Sequence, residues 1–168
     1  MVFESLLLWA QQFITEASYF AVFAASAVIN STIFIGIIGG TYAIVLFAVG
    51  LGLNPLFVGL SAGLGSAIGE LTGYMVGLGS EVSIEKYEKK IPRIIKKLMK
   101  LFTNVGFWVV FVAALLPLPF DVIGILGGMS KYDLKKFFIA TVIGRIIRYV
   151  AFAYAGYSLF PFVKTFFD

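Results

Sequence analysis

Residues 106–129 read GFWVVFVAALLPLPFDVIGILGGM, an apolar stretch interrupted in its middle by Pro117-Leu118-Pro119. Proline removes a backbone donor and clashes with the preceding turn, so a helix entering this stretch must break there. Basic residues flank it on both sides. Lys86, Lys89, Lys90, Arg93, Lys96, Lys97 and Lys100 precede it, and Lys131, Lys135 and Lys136 follow. Lysine and arginine collect on the cytoplasmic side of membrane proteins, so both ends of the stretch belong on one side. A single crossing would separate them. A helix, a break at 117–121 and a returning half-helix brings the chain back, which is a re-entrant hairpin. Such broken backbone is tolerated at membrane depth only where protein buries it or a wet cavity receives it.

The composition of the whole chain requires the same solvent. Hydrophobic residues make up 60% of the 168 positions, charged residues 13%, and histidine and cysteine are absent. The mean hydropathy is +0.98. So few charges cannot cover so much apolar surface in water, and the surplus faces lipid. Residues 1–85 hold no lysine or arginine. The basic runs could be no more than solvated faces, but in so apolar a chain the charge-bias reading is the stronger one. They carry no loop of stacking aromatics and lie between lipid-length segments, which argues against nucleic acid. Without cysteine there are no disulfides, thiolate nucleophiles or cysteine metal sites. The opening MVFESLLLWAQQF lacks a basic leader and a small-residue cleavage site, so it does not read as a secretory signal.

Two segments are long and apolar enough to span a bilayer, residues 55–79 and residues 134–160. The hairpin has a counterpart near the start. Laying residues 18–40 over 106–128, an offset of 88, superposes Phe34-Ile35-Gly36-Ile37-Ile38-Gly39-Gly40 on Val122-Ile123-Gly124-Ile125-Leu126-Gly127-Gly128. The first break, Asn30-Ser31-Thr32, then matches Leu118-Pro119-Phe120, and Gly65 and Gly77 match Gly144 and Gly156 further on. The expected fold is an all-α membrane protein of two inverted repeats, each an interfacial helix, a re-entrant helical hairpin and a transmembrane helix. It forms one membrane domain over residues 1–168. Repeat 1 covers 1–80, a basic amphipathic linker helix 81–104, and the second hairpin and helix 105–160. The linker alternates Ile91, Ile94, Ile95, Leu98, Met99 and Phe102 with Lys90, Arg93, Lys96, Lys97 and Lys100, the pattern of a helix lying on anionic headgroups.

Gly65, Gly69, Gly73 and Gly77 recur every fourth residue along the first span, one small face on which another helix can pack closely. Glu70, Arg145 and Arg148 fall near mid-membrane, where ionisable groups pair with one another and mark pathways. Glu70 and one arginine form a structural ion pair, or an arginine binds an anionic headgroup while Glu70 competes or carries a proton. Arginine suits bidentate phosphate contacts. Asp121, at the tip of the second hairpin, caps the returning half-helix or titrates in a wet cavity. Asn30, Ser31 and Thr32 at one tip, with Pro117 and Pro119 at the other, would meet near the midplane and build the binding cavity.

These residues resemble the DedA/VTT family, the SNARE-associated Golgi proteins. Gly65-x3-Gly69-Glu70-x3-Tyr74-x2-Gly77 is similar to the family's glycine-rich helix with its acidic residue, and residues 117–128 look like its proline-containing re-entrant motif, including Gly127 and Gly128. Phe137 and Gly144 follow in the same order, and the resemblance spans roughly residues 18–156. Bacterial members carry Arg-Phe-x-Pro-x-x-Arg where this chain has Ala114-Leu115-Leu116-Pro117-Leu118-Pro119-Phe120. The anion-handling role of those arginines is either absent here or passes to Arg145 and Arg148. The resemblance implies movement of phospholipids or polyprenyl-phosphate carriers between leaflets, scramblase- or flippase-like, with no cofactor and no covalent chemistry. The rival reading is a proton- or ion-coupled transporter of a small solute, with Glu70 and Asp121 as proton carriers. With no histidine or cysteine, and one candidate acid in each spanning or hairpin segment, an intramembrane enzyme ranks third. The expected partners are membrane lipids with anionic or phosphate-bearing headgroups, homo-oligomerisation being left open. The expected place is a multi-pass position in a prokaryotic plasma membrane, residues 86–100 cytoplasmic.

This topology puts Lys97 inside, and Asn54 and Phe160 near the outer surface. The chain has no native thiol, so Lys97→Cys and Asn54→Cys can each be labelled alone. An impermeant maleimide should reach them from opposite sides of the membrane, and labelling of both from one side would overturn the assignment.

Overall fold

The computed structural model describes residues 2–31, 39–79, 93–117 and 119–167, and every regular element among them is helical. In chain order these are α1 (Val2–Ser31), α2 (Gly40–Gly50), α3 (Pro55–Gly69), α4 (Leu71–Gly79), α5 (Arg93–Leu115), α6 (Phe120–Met129) and α7 (Leu134–Phe167). Thr32, the leading part of the FIGIIGG motif and linker residues 81–92 lie outside the described residues, as do the side chains of residues 93–99.

Local chemistry sets the boundaries. The Asn54 side chain accepts the N–H of Leu56 at 2.9 Å, with Pro55 in the first helical position, which starts α3. The prolines stop α5, and Pro119, at φ −65° and ψ 98°, leads into α6. α2 and α6 end alike. Leu53 N–H reaches back to the Ala48 carbonyl at 3.2 Å, and Tyr132 N–H to the Gly127 carbonyl at 3.0 Å. The intervening residues, Gly52 at φ 87° and Lys131 at φ 51°, take the left-handed conformation that closes this C-terminal motif.

Several boundaries differ from the expected ones. Asn30 and Ser31 belong to the last turn of α1 rather than to a loop, because residues 2–31 contain neither glycine nor proline to stop the helix sooner. Gly39, at φ 78°, precedes α2, and Gly40 opens it, whereas Gly127 and Gly128 lie in the closing turn of α6. The FIGIIGG/VIGILGG match therefore lays the start of α2 over the end of α6. The matching turns that close α2 and α6, at Gly52 and Lys131, lie 79 residues apart. The described part of the linker, residues 93–104, and the apolar stretch up to Leu115 form one helix, α5, kinked at Val105 (φ −134°, ψ 26°). The first span is interrupted at Glu70 between α3 and α4, and the second runs on to Phe167.

Glycines set the spacing, on more than one face. A Cβ on Gly59 would fall 2.5 Å from Val150 Cα and one on Gly63 2.7 Å from Ile146 Cα, so α3 and α7 cross antiparallel in backbone contact. Gly65 and Gly69 instead abut the α1 carbonyls of Phe23 and Ala27, and Gly77 abuts that of Ile125 in α6. Gly73 is looser, 3.7 Å from the Asp121 carbonyl. Two apolar clusters fill the interior. One gathers Tyr74, Phe102, Val110, Phe120 and Phe137, the other Val22, Val45, Val58, Ala62 and Tyr149. Outside, Phe20, Phe47, Leu51, Trp108 and Leu159 are all at least 60% exposed. Residues Pro55–Gly79 and Leu134–Leu159 have the length and apolarity of membrane-crossing helices.

Gly128 lies against the Tyr74 carbonyl, while a Cβ at Gly79 would meet nothing within 4 Å. Gly128→Leu should therefore lower the thermal midpoint far more than Gly79→Leu, and equal midpoints would argue against close packing of α6 on α4.

Candidate functional site

α3, α4 and α7 carry the charged core. Glu70 occupies the break between α3 and α4, where its N–H still reaches the Ser66 carbonyl at 3.0 Å. Its carboxylate Oε1 accepts from Nη2 of Arg145 on α7, with both side chains about 95% buried. This answers which arginine is the partner. The Arg145 guanidinium also lies over the Phe120 ring, 4.9 Å from its centroid, and 3.5 Å from the Tyr149 hydroxyl. A buried pair of this kind is strongly held only when its remaining hydrogen-bonding atoms are satisfied. Here Glu70 Oε2 and Arg145 Nε have no partner among the described residues.

Arg148, one turn further along α7, has a different role. Its Nη1 donates to the Leu116 carbonyl at 2.9 Å and lies 3.5 Å from that of Ala114. These carbonyls sit at the end of α5, where the prolines stop the helix and leave acceptors unpaired. A cation there also meets the negative end of the helix dipole. The Arg148 guanidinium stacks 4.8 Å over Tyr42 and 5.6 Å from the Tyr149 centroid, while its Nε has no partner among the described residues.

Asp121 is half-buried in the first turn of α6 but is not its cap. Pro119 holds that position, and no side chain caps the helix. Asp121 lies within electrostatic range of Arg145 and Glu70. Asn30 is buried, its Nδ2 donating to the Ser26 carbonyl at 2.7 Å and to Thr41 Oγ1 at 2.8 Å. Ser31 Oγ turns back to the Ala27 carbonyl. Thr72 Oγ1, on α4, lies 2.8 Å from the Gly69 carbonyl and 3.0 Å from that of Ser31 at the end of α1.

These groups line one cavity of about 220 Å³, which includes Asn30, Glu70, Pro117, Pro119, Asp121, Arg145 and Arg148. Ser31 is not on its wall, and Thr41, Tyr42 and Tyr149 join it without having been singled out in the sequence. Their signal was weak, a threonine and two tyrosines in apolar helices. The cavity lies between the apolar clusters, touching Phe120 of one and Tyr149 of the other. Tyr74 is outside it, packed on Phe137 at 5.0 Å with its hydroxyl donating to the Tyr132 carbonyl. Among the described residues no group of three or more acidic side chains is arranged to hold a metal ion. Gly59-Leu60-Ser61-Ala62-Gly63 has the spelling of a hydrolase nucleophile elbow, but it lies inside α3 rather than on a strand-to-helix turn, and the chain has no histidine to serve it.

Comparison with curated proteins gives no match, and comparison with solved structures gives none. The VTT domain matches residues 37–158, from just before α2 to near the end of the second span. That stretch contains Glu70, Asp121, Arg145, Arg148 and the proline break, and residues 1–36 and 159–168 fall outside it. By this match the chain belongs to the VTT-domain family, the DedA/SNARE-associated Golgi family of membrane proteins.

Proposed function

We propose that this protein moves phosphate-bearing lipids between leaflets, passing the headgroup through the cavity between the proline break and α7. The observation that carries this reading is the cavity itself. Two guanidinium groups and two carboxylates meet at a break in the helices, inside a molecule whose exterior is studded with exposed Phe, Leu and Val. Ionisable groups kept at such depth mark pathways more often than packing. The partnerless Nε atoms of Arg145 and Arg148 are donors that a phosphate oxygen would accept from. The family's general association with membrane transport agrees with this. Two inverted repeats supply the frame in this reading. Gly65 meets the carbonyl of Phe23 as Gly144 approaches that of Phe111, and Gly77 meets Ile125 as Gly156 meets Leu46. The antiparallel crossing of α3 and α7 and the shared closing turns of α2 and α6 support the same symmetry. Re-entrant hairpins, a multi-pass position in a prokaryotic plasma membrane and a cytoplasmic basic segment belong to this proposal.

A second reading is proton- or ion-coupled transport of a small solute. The partnerless Glu70 Oε2 and the nearby Asp121 favour it. Purified protein in liposomes separates the two. Labelled phospholipid should equilibrate between leaflets without any ion gradient, and Glu70→Ala and Arg148→Ala should each abolish the exchange. No lipid exchange, with or without a proton or sodium gradient, would favour the second reading.

The ion pair makes its own prediction. Removing one partner of a buried pair leaves a lone charge and costs about 3–5 kcal/mol, whereas removing both can be nearly neutral. Glu70→Gln/Arg145→Gln should therefore be more stable than either single variant, and Glu70→Gln/Arg148→Gln should lack that rescue. Additive destabilisation in the first double variant would end the pairing argument. If the pair is only structural, the rescued double variant keeps transporting. If it is a headgroup site, that variant is folded and inactive.

A further inference from the structure

The polar cavity adjoins a second, more open one of about 540 Å³ between α2, the end of α5 and one face of α7. The two share Tyr42, Pro117 and Arg148. Beyond those shared residues the lining is wholly apolar, namely Leu115, Ile147, Ala151 and Phe152. Ile147 is 47% exposed and Ala151 is exposed too, so the groove opens sideways, toward what would be hydrocarbon in a bilayer. Its aromatic wall is firm, with Tyr42 edge-on to Phe152 at 4.6 Å and tilted on Tyr149 at 5.5 Å.

We infer that this groove holds the hydrocarbon chain of the lipid whose phosphate occupies the polar cavity, with Arg148 at the lip between them. The inference rests on the lipid-transport reading above and names which part of the ligand goes where. A polar pocket that continues into an apolar channel with a shared cation at the junction matches an amphiphile. A small polar solute would leave the channel unused. Arg148 is built for the junction, since one edge of its guanidinium holds the α5 carbonyls while its face covers Tyr42. The cavity size limits the head. At about 220 Å³ it is a small cavity, which suits a compact phosphate head. Lateral entry also lets the chain remain in the membrane while the head crosses, so only the head needs the polar path.

The test uses the full chain with one introduced thiol. Ile147→Cys carries a bimane label in phosphatidylcholine vesicles doped with a lipid brominated in its acyl chains. Brominated phosphatidic acid should quench the label at least threefold more than brominated phosphatidylcholine at equal fraction, and Arg148→Gln should remove the preference. Equal quenching by both lipids would make the groove ordinary lipid-facing surface and overturn the inference. Leaflet exchange gives the second arm. Ala151→Trp fills the groove and should slow exchange at least tenfold, while Ile139→Trp, exposed on the same helix but outside the groove, should not. Normal exchange in Ala151→Trp, with exchange lost in Glu70→Ala, would refute the groove and leave the head cavity standing. Normal exchange in all of them would refute the head cavity itself. Should Ala151→Trp fail to fold, the quenching comparison in the folded Ile147→Cys protein decides alone.

Discussion

The Glu70–Arg145 pair joins the first span to the second at the point where the helices are least regular. Taking two charges out of water carries a penalty of several kcal/mol per ion, and their attraction offsets it only in a well-furnished setting. The surroundings follow from that requirement. α3 gives way to α4 at Glu70, Phe120 turns its ring to the Arg145 guanidinium, and Tyr149 brings a hydroxyl close. Even so, Glu70 Oε2 and Arg145 Nε are left without a partner among the described residues.

Charges can be set this deep because glycine lets the helices come together. Gly59 and Gly63 bring α3 onto the backbone of α7, Gly65 and Gly69 bring it onto α1, and Gly77 and Gly128 lock α4 to α6. Helices packing in lipid gain little from the hydrophobic effect, since lipid tails are as apolar as leucine, and rely on close backbone approach. The same approach shortens the distance a side chain must reach across a helix pair, so that arginines on α7 reach both Glu70 and the carbonyls at the end of α5.

The arginine arrangement also bears on how this chain departs from the expected motif. Its proline motif lacks both expected arginines, yet a guanidinium still reaches the break, delivered from α7 by Arg148. The physical need is unchanged. Prolines leave carbonyls without donors, and a buried acceptor left unpaired costs as much as a lost hydrogen bond. In the proposed mechanism that guanidinium serves the backbone through one edge and a lipid phosphate through another.

Much of this was legible in the residues. Composition and the absence of lysine or arginine before Lys86 required a lipid-facing helical protein, because no soluble fold can hide so much apolar surface. Pro117 and Pro119 located the second break, since proline acts on its own backbone whatever surrounds it. The rarity of charge at depth singled out Glu70, Arg145, Arg148 and Asp121. Three matters waited for the tertiary structure. The sequence left two arginines open as partner to Glu70, three residues apart on one helix, and only the packing angle of α7 on α3 selects Arg145. FIGIIGG laid over VIGILGG pairs a helix start with a helix end, because glycine pairs recur in apolar sequence and string similarity is blind to which one opens a helix and which one closes it. The cavity wall gained Thr41, Tyr42 and Tyr149, which look like ordinary core residues until the fold brings α2 against α7. Local backbone chemistry and solvent preference are written residue by residue, whereas partners across a helix interface depend on rotations and distances that no single segment contains.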